Sequence, residues 1–290
     1  MVDSGEVFHP LRWTPAEAFQ LLKDLPLLEA AGVIEAVGEG VTHLVPGQRA
    51  ASFGGTPGAY ATARIAKAAE LFPLPEEIDS KTAAAVFLKG ATVEALAERV
   101  APVGPGGWTL VPAAAGGVGL LLVQWLRARG VRVIGAVGSA EKVALALGAG
   151  AEHVFLSGDP DLVAKIREAT NGKGVAVSYD GVGAASWQTS LDSMAPRGMI
   201  VSFGNASGPV TGVALRDLAT RGSLFVTRPG VYDYYRDPAE GAAGAAKLWE
   251  MVSTGKVNIT VGQTYALTDA AQAHSDLEAR RTTGSTLLLP

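Results

Sequence analysis

Residues 111–119 read Val-Pro-Ala-Ala-Ala-Gly-Gly-Val-Gly and run directly into the apolar stretch LLLVQWL. Glycines at 116, 117 and 119 leave backbone without Cβ atoms, so a bulky anion can approach closely. A helix beginning near Gly117 would aim unsatisfied N–H groups, and the positive end of its dipole, at the same spot. Diphosphate suits such a strand–turn–helix unit, with Ala115, Gly116, Gly117 and Val118 as candidate contacts. Small residues also serve plain helix–strand packing, which is the competing reading.

The next strand end decides which dinucleotide fits. Sites for NAD place an acid about 20 residues beyond the glycines, on the adenosine ribose. Here the tip reads Ala136-Val137-Gly138-Ser139-Ala140-Glu141-Lys142, with no carboxylate at the strand end. Gly138 leaves room, Ser139 offers a hydroxyl and Lys142 a cation beside a helix start, a set that suits the 2′-phosphate of NADPH. The plainer alternative is that Ser139 caps a helix whose charges are solvated. Two more loops, Asp180-Gly181-Val182-Gly183 and residues 202–208 (SFGNASG), end predicted strands and should face the same crevice, where ribose and nicotinamide would lie. As turns they are also ordinary Asp/Gly/Asn/Ser chemistry.

The elements that must position these residues form a regular series. From about Gly107, short β-like runs (108–113, 131–137, 152–156, 174–180, 198–204 and 223–227) alternate with helix-length amphipathic stretches. Parallel strands need crossovers, and the crossovers cover the sheet, so the pattern predicts an α/β fold with a doubly wound, six-stranded parallel sheet. Earlier residues read differently. Runs at 30–38, 47–54 and 59–66 look β-rich and turn-separated, a helix is expected over roughly 79–100, and Thr14-Pro15-Ala16-Glu17 is a capping box for a helix over 15–24. Beyond Pro229 a helix (237–254), a strand ending at Leu267 and a helix (268–280) are expected. This gives a dinucleotide-binding domain over 96–230, with 1–95 and 231–290 as a smaller, β-rich substrate lobe.

Composition narrows the classes. Of 290 residues, 48% are hydrophobic and 18% charged, so a packed core is readily supplied. A formal charge of −4 without a basic run argues against nucleic acid as a partner. There is no cysteine, and the four histidines (9, 43, 153 and 274) are scattered, so no metal site is expected. No Gly-x-Ser-x-Gly elbow suggests a hydrolase. Neither a signal-peptide layout nor an 18-residue apolar span is evident, so a cytoplasmic protein with no membrane partner is expected. Without a metal or an acid–base pair, the chemistry should be one that the coenzyme runs nearly unaided.

The stretches VFLKGATVEAL, VPAAAGGVGLLLVQWLRARG, GAVGSAEKVALALGAGAEHVF, SYDGVG, MIVSFGNASGPVTGV, GSLFVTRP and RRTTGSTLLLP resemble, in order, the zinc-free, zeta-crystallin-like quinone oxidoreductases of the medium-chain dehydrogenase/reductase superfamily. The similarity covers about 28–290. It implies a Rossmann domain plus a GroES-like lobe, a homodimer, and NADPH-dependent reduction of quinones or related conjugated carbonyls. It also implies coenzyme contacts at Gly117, Val118, Ser139, Lys142, Phe203, Asn205 and Arg280; Gly138, Ser157, Gly181 and Gly204, at the same strand ends, are further candidates. Val226, Thr227 and Arg228 would border the nicotinamide, and Lys89 and Thr92 would stand near its reactive face as catalytic candidates. The chain departs from the family pattern in several places, among them Pro112, where a histidine is common. Only 28 unmatched residues precede Glu29-Ala30-Ala31-Gly32, and the family's Asn-x-x-Asp/Tyr loop is absent. Glu94 and Ala95 stand where aromatics are usual, and Leu156-Ser157 replaces an Asn-Tyr pair that packs on the adenosine.

The leading reading is therefore hydride transfer from NADPH to a quinone, with protons from water. Reduction of an enal or enoyl thioester is the neighbouring alternative; it needs a proton donor, for which Lys89 and Tyr60 are candidates. A non-catalytic NADPH-binding protein is the alternative of another class, motivated by the absent loop. Methyl transfer is disfavoured, because such sites usually place an acid after the second strand. Pairing of two copies along the sheet edge near 223–227 is expected, since an apolar edge strand invites it.

Overall fold

A computed structural model describes residues 6–7, 29–54, 58–279, 281–282 and 284–290. The expected helix over 15–24 and the candidate Arg280 lie outside the described residues. Two compact units make up the chain. One comprises Met1–Leu88, Pro238–Ser253 and Ile259–Pro290; the other comprises Lys89–Asp237 and Thr254–Asn258.

The first unit is β-rich. Strand β1 (Glu6–Val7) pairs antiparallel with β4 (Ala66–Lys67), and β2 (Glu29–Val33), β3 (Arg49–Phe53) and β5 (Phe72–Pro73) form an antiparallel sheet in the order β2-β3-β5. Residues 59–65, expected to be extended and paired, form no strand. The alternating residues there are mostly alanine and threonine, which bury too little area to fix a register. The guanidinium of Arg49 donates to the carbonyls of Ile78 (2.5 Å), Pro75 and Glu76 (both 3.1 Å), which ties the approach to the next helix onto β3. That helix, α1 (Ser80–Glu94), starts at a cap. The Thr82 N–H donates to Asp79 Oδ1 at 2.8 Å and its hydroxyl to Oδ2 at 2.9 Å. Phe53, Phe72 and Phe87 pack edge-on or stacked, with Phe87 also 5.0 Å from the ring of Trp249.

The second unit carries the expected sheet. Strands β6 (Trp108–Pro112), β7 (Arg132–Val137), β8 (His153–Leu156), β9 (Val175–Asp180), β10 (Met194–Ser202) and β11 (Phe225–Thr227) are all parallel, in the order β11-β10-β9-β6-β7-β8. Helices α2 (Gly117–Ala128), α3 (Val143–Ala149), α4 (Leu162–Ala169), α5 (Trp187–Ser193) and α6 (Leu215–Thr220) make the crossovers. Both faces of the sheet are covered, so β6 and β9 read as almost continuous apolar runs and are buried along most of their length. Leu110, Ile134, Ile166, Val175, Leu191, Met194 and Ile200 form its core, each such side chain contributing roughly 1.5–3 kcal/mol by burial. Strand order reverses between β6 and β9, so ligands of such sheets lie beyond the strand ends there.

Past β11 come α7 (Val231–Tyr234) and α8 (Pro238–Ser253), then β12 (Val261–Ala266), α9 (Ala270–Glu278) and β13 (Ser285–Leu289), with β12 and β13 parallel. The helix expected over 79–100 changes character at residue 95: Ala95–Val100 is a π-helical turn. Among the described residues no helix is long and apolar enough to cross a membrane.

Candidate functional site

At the end of β6 the backbone turns through Ala113, whose φ of 55° is a left-handed conformation held against its Cβ. The Ala113 carbonyl accepts the Gly116 N–H at 2.8 Å, and α2 begins at the next residue. Gly116 and Gly117 are exposed, while Ala115 and Val118 are half-buried. The first N–H groups of α2 have no acceptor within the helix and face outward with its dipole. Gly119 behaves differently from the other two glycines. It is buried, and a Cβ there would meet the Ala113 oxygen at 2.2 Å and the Ala114 Cα at 2.9 Å. Gly119 is thus a packing glycine that lets α2 approach the strand end, rather than part of an anion cradle. At Gly117 a Cβ would meet only the Cδ of Lys89, at 3.4 Å. This brings the stem of Lys89, on α1, beside the turn. Thr92 lies three residues further along α1, and both side chains are half-buried.

At the neighbouring strand end Gly138 is exposed with open space where a Cβ would stand. Ser139 is half-buried, and Glu141 and Lys142 are exposed. A hydrogen bond from the Ser139 hydroxyl holds the Glu141 carboxyl below the usual range. Ser157, also exposed, donates its N–H to the Val137 carbonyl at 2.8 Å, so it borders the same strand tip.

Loops after β9 and β10 interlock. The N–H groups of Phe203, Ser207 and Ala184 donate to the carbonyls of Asp180 (2.8 Å), Val182 (2.8 Å) and Gly208 (3.0 Å). A Cβ on Gly204 would meet the Gly181 oxygen at 2.3 Å, and one on Gly183 the Gly208 oxygen at 2.4 Å. The ring of Phe203 lies over Gly181, its Cζ 2.8 Å from where a Cβ would be. Asp180 does not serve the crevice. It is 1% exposed and accepts the N–H groups of Val182 (2.9 Å) and Gly183 (3.0 Å) and the hydroxyls of Ser186 (2.7 Å) and Ser190 (2.8 Å). An isolated buried carboxylate is costly, and this set of donors offsets the loss of water. Beyond β11, the exposed Arg228 donates to the carbonyls of Ser202 (2.9 Å) and Gly204 (3.0 Å) and to Asn205 Oδ1 (3.2 Å). Val226 and Thr227 precede it at the same strand end.

Because the sheet is parallel, the residues singled out at the ends of β6 to β11 all lie along one edge of it. What the sequence reading missed is a buried acid. Glu94 is 3% exposed and bonds Arg99 and Tyr235. Tyr235 is buried on that acid. Among the described residues no group of three or more His, Cys, Asp or Glu is arranged to hold a metal ion.

Comparisons with known proteins show the family. A family model described as zinc-binding dehydrogenase matches residues 117–237. The quinone oxidoreductase of Pseudomonas aeruginosa is 46% identical over 262 residues, 90% of this chain and 81% of that protein. The 2-haloacrylate reductase of a Burkholderia species is 39% identical over 265 residues, 90% of this chain and 80% of that protein. The crystal structure of Escherichia coli quinone oxidoreductase complexed with NADPH superposes with a TM-score of 0.86 at 43% identity, covering 91% of this chain and 81% of that one. The chain is an oxidoreductase that belongs to the quinone oxidoreductase family of the medium-chain dehydrogenase/reductase superfamily.

Proposed function

We propose that the chain binds NADPH and reduces a quinone or a related conjugated carbonyl by hydride transfer, without a metal. The observation that carries the reading is the acid-free tip of β7, with Gly138 open, Ser139 and Lys142 beside it, and the outward-facing start of α2 on the neighbouring strand. The residues fit the coenzyme: exposed Gly116 and Gly117 leave a cradle that side chains would fill, and the donors there suit an anion. When bound, NADPH supplies hydride to the electron-poor acceptor, leaving NADP and, with a proton from water, the reduced acceptor.

In this reading the N–H groups of Gly117 and Val118 donate to the diphosphate, while Ala115 and Gly116 keep the backbone low. Ser139 and Lys142 hold the 2′-phosphate, and Ser157 borders the adenosine. Gly181, Phe203, Gly204 and Asn205 wall the ribose and nicotinamide, with Val226, Thr227 and Arg228 on the other border. Lys89 and Thr92 are the catalytic candidates: a cation and a hydroxyl donor favour negative charge developing on the acceptor oxygen. In this reading the second unit is the coenzyme-binding domain and the first the substrate lobe. The protein works as a cytoplasmic homodimer joined along β11, where Phe225 is 57% and Val226 39% exposed.

Steady-state oxidation of NADPH with a panel of simple quinones tests the proposal. A rate no faster than the enzyme-free control, or NADH binding as tight as NADPH by calorimetry, would overturn it. Kinship to the 2-haloacrylate reductase favours a second reading, reduction of the activated C=C bond of a conjugated carbonyl. Acrylate- and acrolein-type acceptors compared with quinones distinguish the two, and tight NADPH binding with no turnover on either would leave a binding protein.

A further inference from the structure

Glu94 ends α1 among buried neighbours Ala91, Val93, Ala95 and Leu96. An acid in such surroundings is retained only with partners. Its Oε2 accepts the Arg99 Nη2 at 2.6 Å and the Tyr235 hydroxyl at 2.9 Å. Arg99 in turn donates to the Tyr234 carbonyl at 2.6 Å and lies over the rings of Tyr234 and Tyr235 at 5.4 and 4.9 Å. Arg99 follows Glu94 by five positions, a spacing that an α-helix would point to different faces. The π turn over Ala95–Val100, closed by the Ala101 N–H on the Leu96 carbonyl at 3.2 Å, brings them to one face.

The opposite side of the same turn is tied to α2, the helix that starts at the glycine turn. Trp125 Nε1 donates to Glu98 Oε1 at 2.8 Å, Arg129 pairs with Glu98, and Arg129 also donates to the Ala97 carbonyl at 2.8 Å. The segment after β11 is pinned twice: Arg228 holds it to the loop after β10, and Tyr234 and Tyr235 hold it to Glu94 and Arg99. One wide helical turn therefore joins the helix bearing Lys89 and Thr92, the glycine-turn helix and the strand-end segment bearing Val226, Thr227 and Arg228.

We propose that Glu94, Arg99 and Tyr235 form a positioning clamp that sets Lys89 and Thr92 relative to the 226–228 border, and so governs turnover rather than coenzyme binding. The clamp rests on the reductase reading above. Burial lifts the Glu94 carboxyl above the usual range, and the Arg99 guanidinium opposes that shift. Small displacements of reacting groups are costly in rate.

The test compares wild type, Tyr235→Phe, Glu94→Gln and Glu94→Ala in NADPH titrations, quinone kinetics and thermal melts. Tyr235→Phe keeps the ring and removes only the hydroxyl. It is expected to lower kcat by about tenfold, with the NADPH Kd within about twofold of wild type. Glu94→Gln retains an oxygen acceptor for Tyr235 and should lose less kcat than Glu94→Ala. If Glu94→Ala fails to fold, Tyr235→Phe still decides. Wild-type kcat in Tyr235→Phe, whatever its melting temperature, would mean that the clamp is structural only and overturn the proposal. So would a loss of NADPH affinity as large as the loss of kcat. No turnover in the wild-type protein would instead sink the reductase reading, and the clamp with it.

Discussion

Replacing Gly119 by alanine would put a Cβ 2.2 Å from the Ala113 oxygen and 2.9 Å from the Ala114 Cα and carbonyl carbon. These are backbone atoms, so the helix start itself must move. Overpacking at a rigid site costs roughly 1–3 kcal/mol and sometimes more, against a gain of about 0.8–1 kcal/mol in helix propensity. With backbone as the obstacle the upper end applies, for a net loss of about 2 kcal/mol. At about 2–4 °C per kcal/mol for domains of this size, Tm should fall by about 4–8 °C. Gly117→Ala is the companion. Its Cβ would meet only a flexible lysine stem at 3.4 Å, so Tm should hold. A methyl group in the diphosphate's approach should still weaken NADPH by at least about tenfold, near 1.4 kcal/mol. Differential scanning calorimetry and fluorescence titration of NADPH separate the two effects. A wild-type Tm in Gly119→Ala would refute the packing role, and a wild-type Kd in Gly117→Ala would refute the cradle.

Gly138→Asp has open space for its side chain and places a carboxylate where the 2′-phosphate would lie. The ratio of NADPH to NADH affinity should fall by about tenfold or more, a Coulomb penalty of roughly 1–4 kcal/mol at close range; an unchanged ratio would move the phosphate elsewhere. Phe225→Asp puts a charge on the exposed face of β11, and sedimentation should then report a monomer; a dimer persisting at micromolar concentration would exclude pairing along that edge. Asp79→Ala removes the cap of α1 and should cost about 1 kcal/mol near neutral pH. Chiefly the Thr82 N–H holds the Asp79 carboxyl below its ordinary range. Its contribution is therefore full above the unfolded-state value and is lost as the pH falls through the depressed folded one. Urea midpoints of variant and wild type should converge in strong acid; a gap that persists there would assign the effect to something other than the charged cap.

Much of the α/β unit is legible because its strands are buried on both faces. Trp108–Pro112 and Arg132–Val137 read as apolar runs, and the helices between them announce parallel pairing. The glycine turn is legible as a motif, yet its three glycines look alike in sequence, and only close packing separates Gly119 from Gly117. Asp180 shows the same limit: an Asp-Gly pair is an ordinary turn signal, and its burial depends on the hydroxyls of Ser186 and Ser190 turning inward. Glu94 and Tyr235 lie 141 residues apart in the chain, and the Glu94–Arg99 spacing fits no α-helical pair, so no local pattern announces their contact. The stretch over 59–66 misleads because alternation of small residues imitates a strand without supplying one.

Where the turns after β9 and β10 meet, main chain rests on main chain, with the Gly204–Gly181 and Gly183–Gly208 approaches leaving no slack. Such a seam has to be inherited or redesigned whole: lengthening one turn, or grafting one from a relative, would prise the other from its seat.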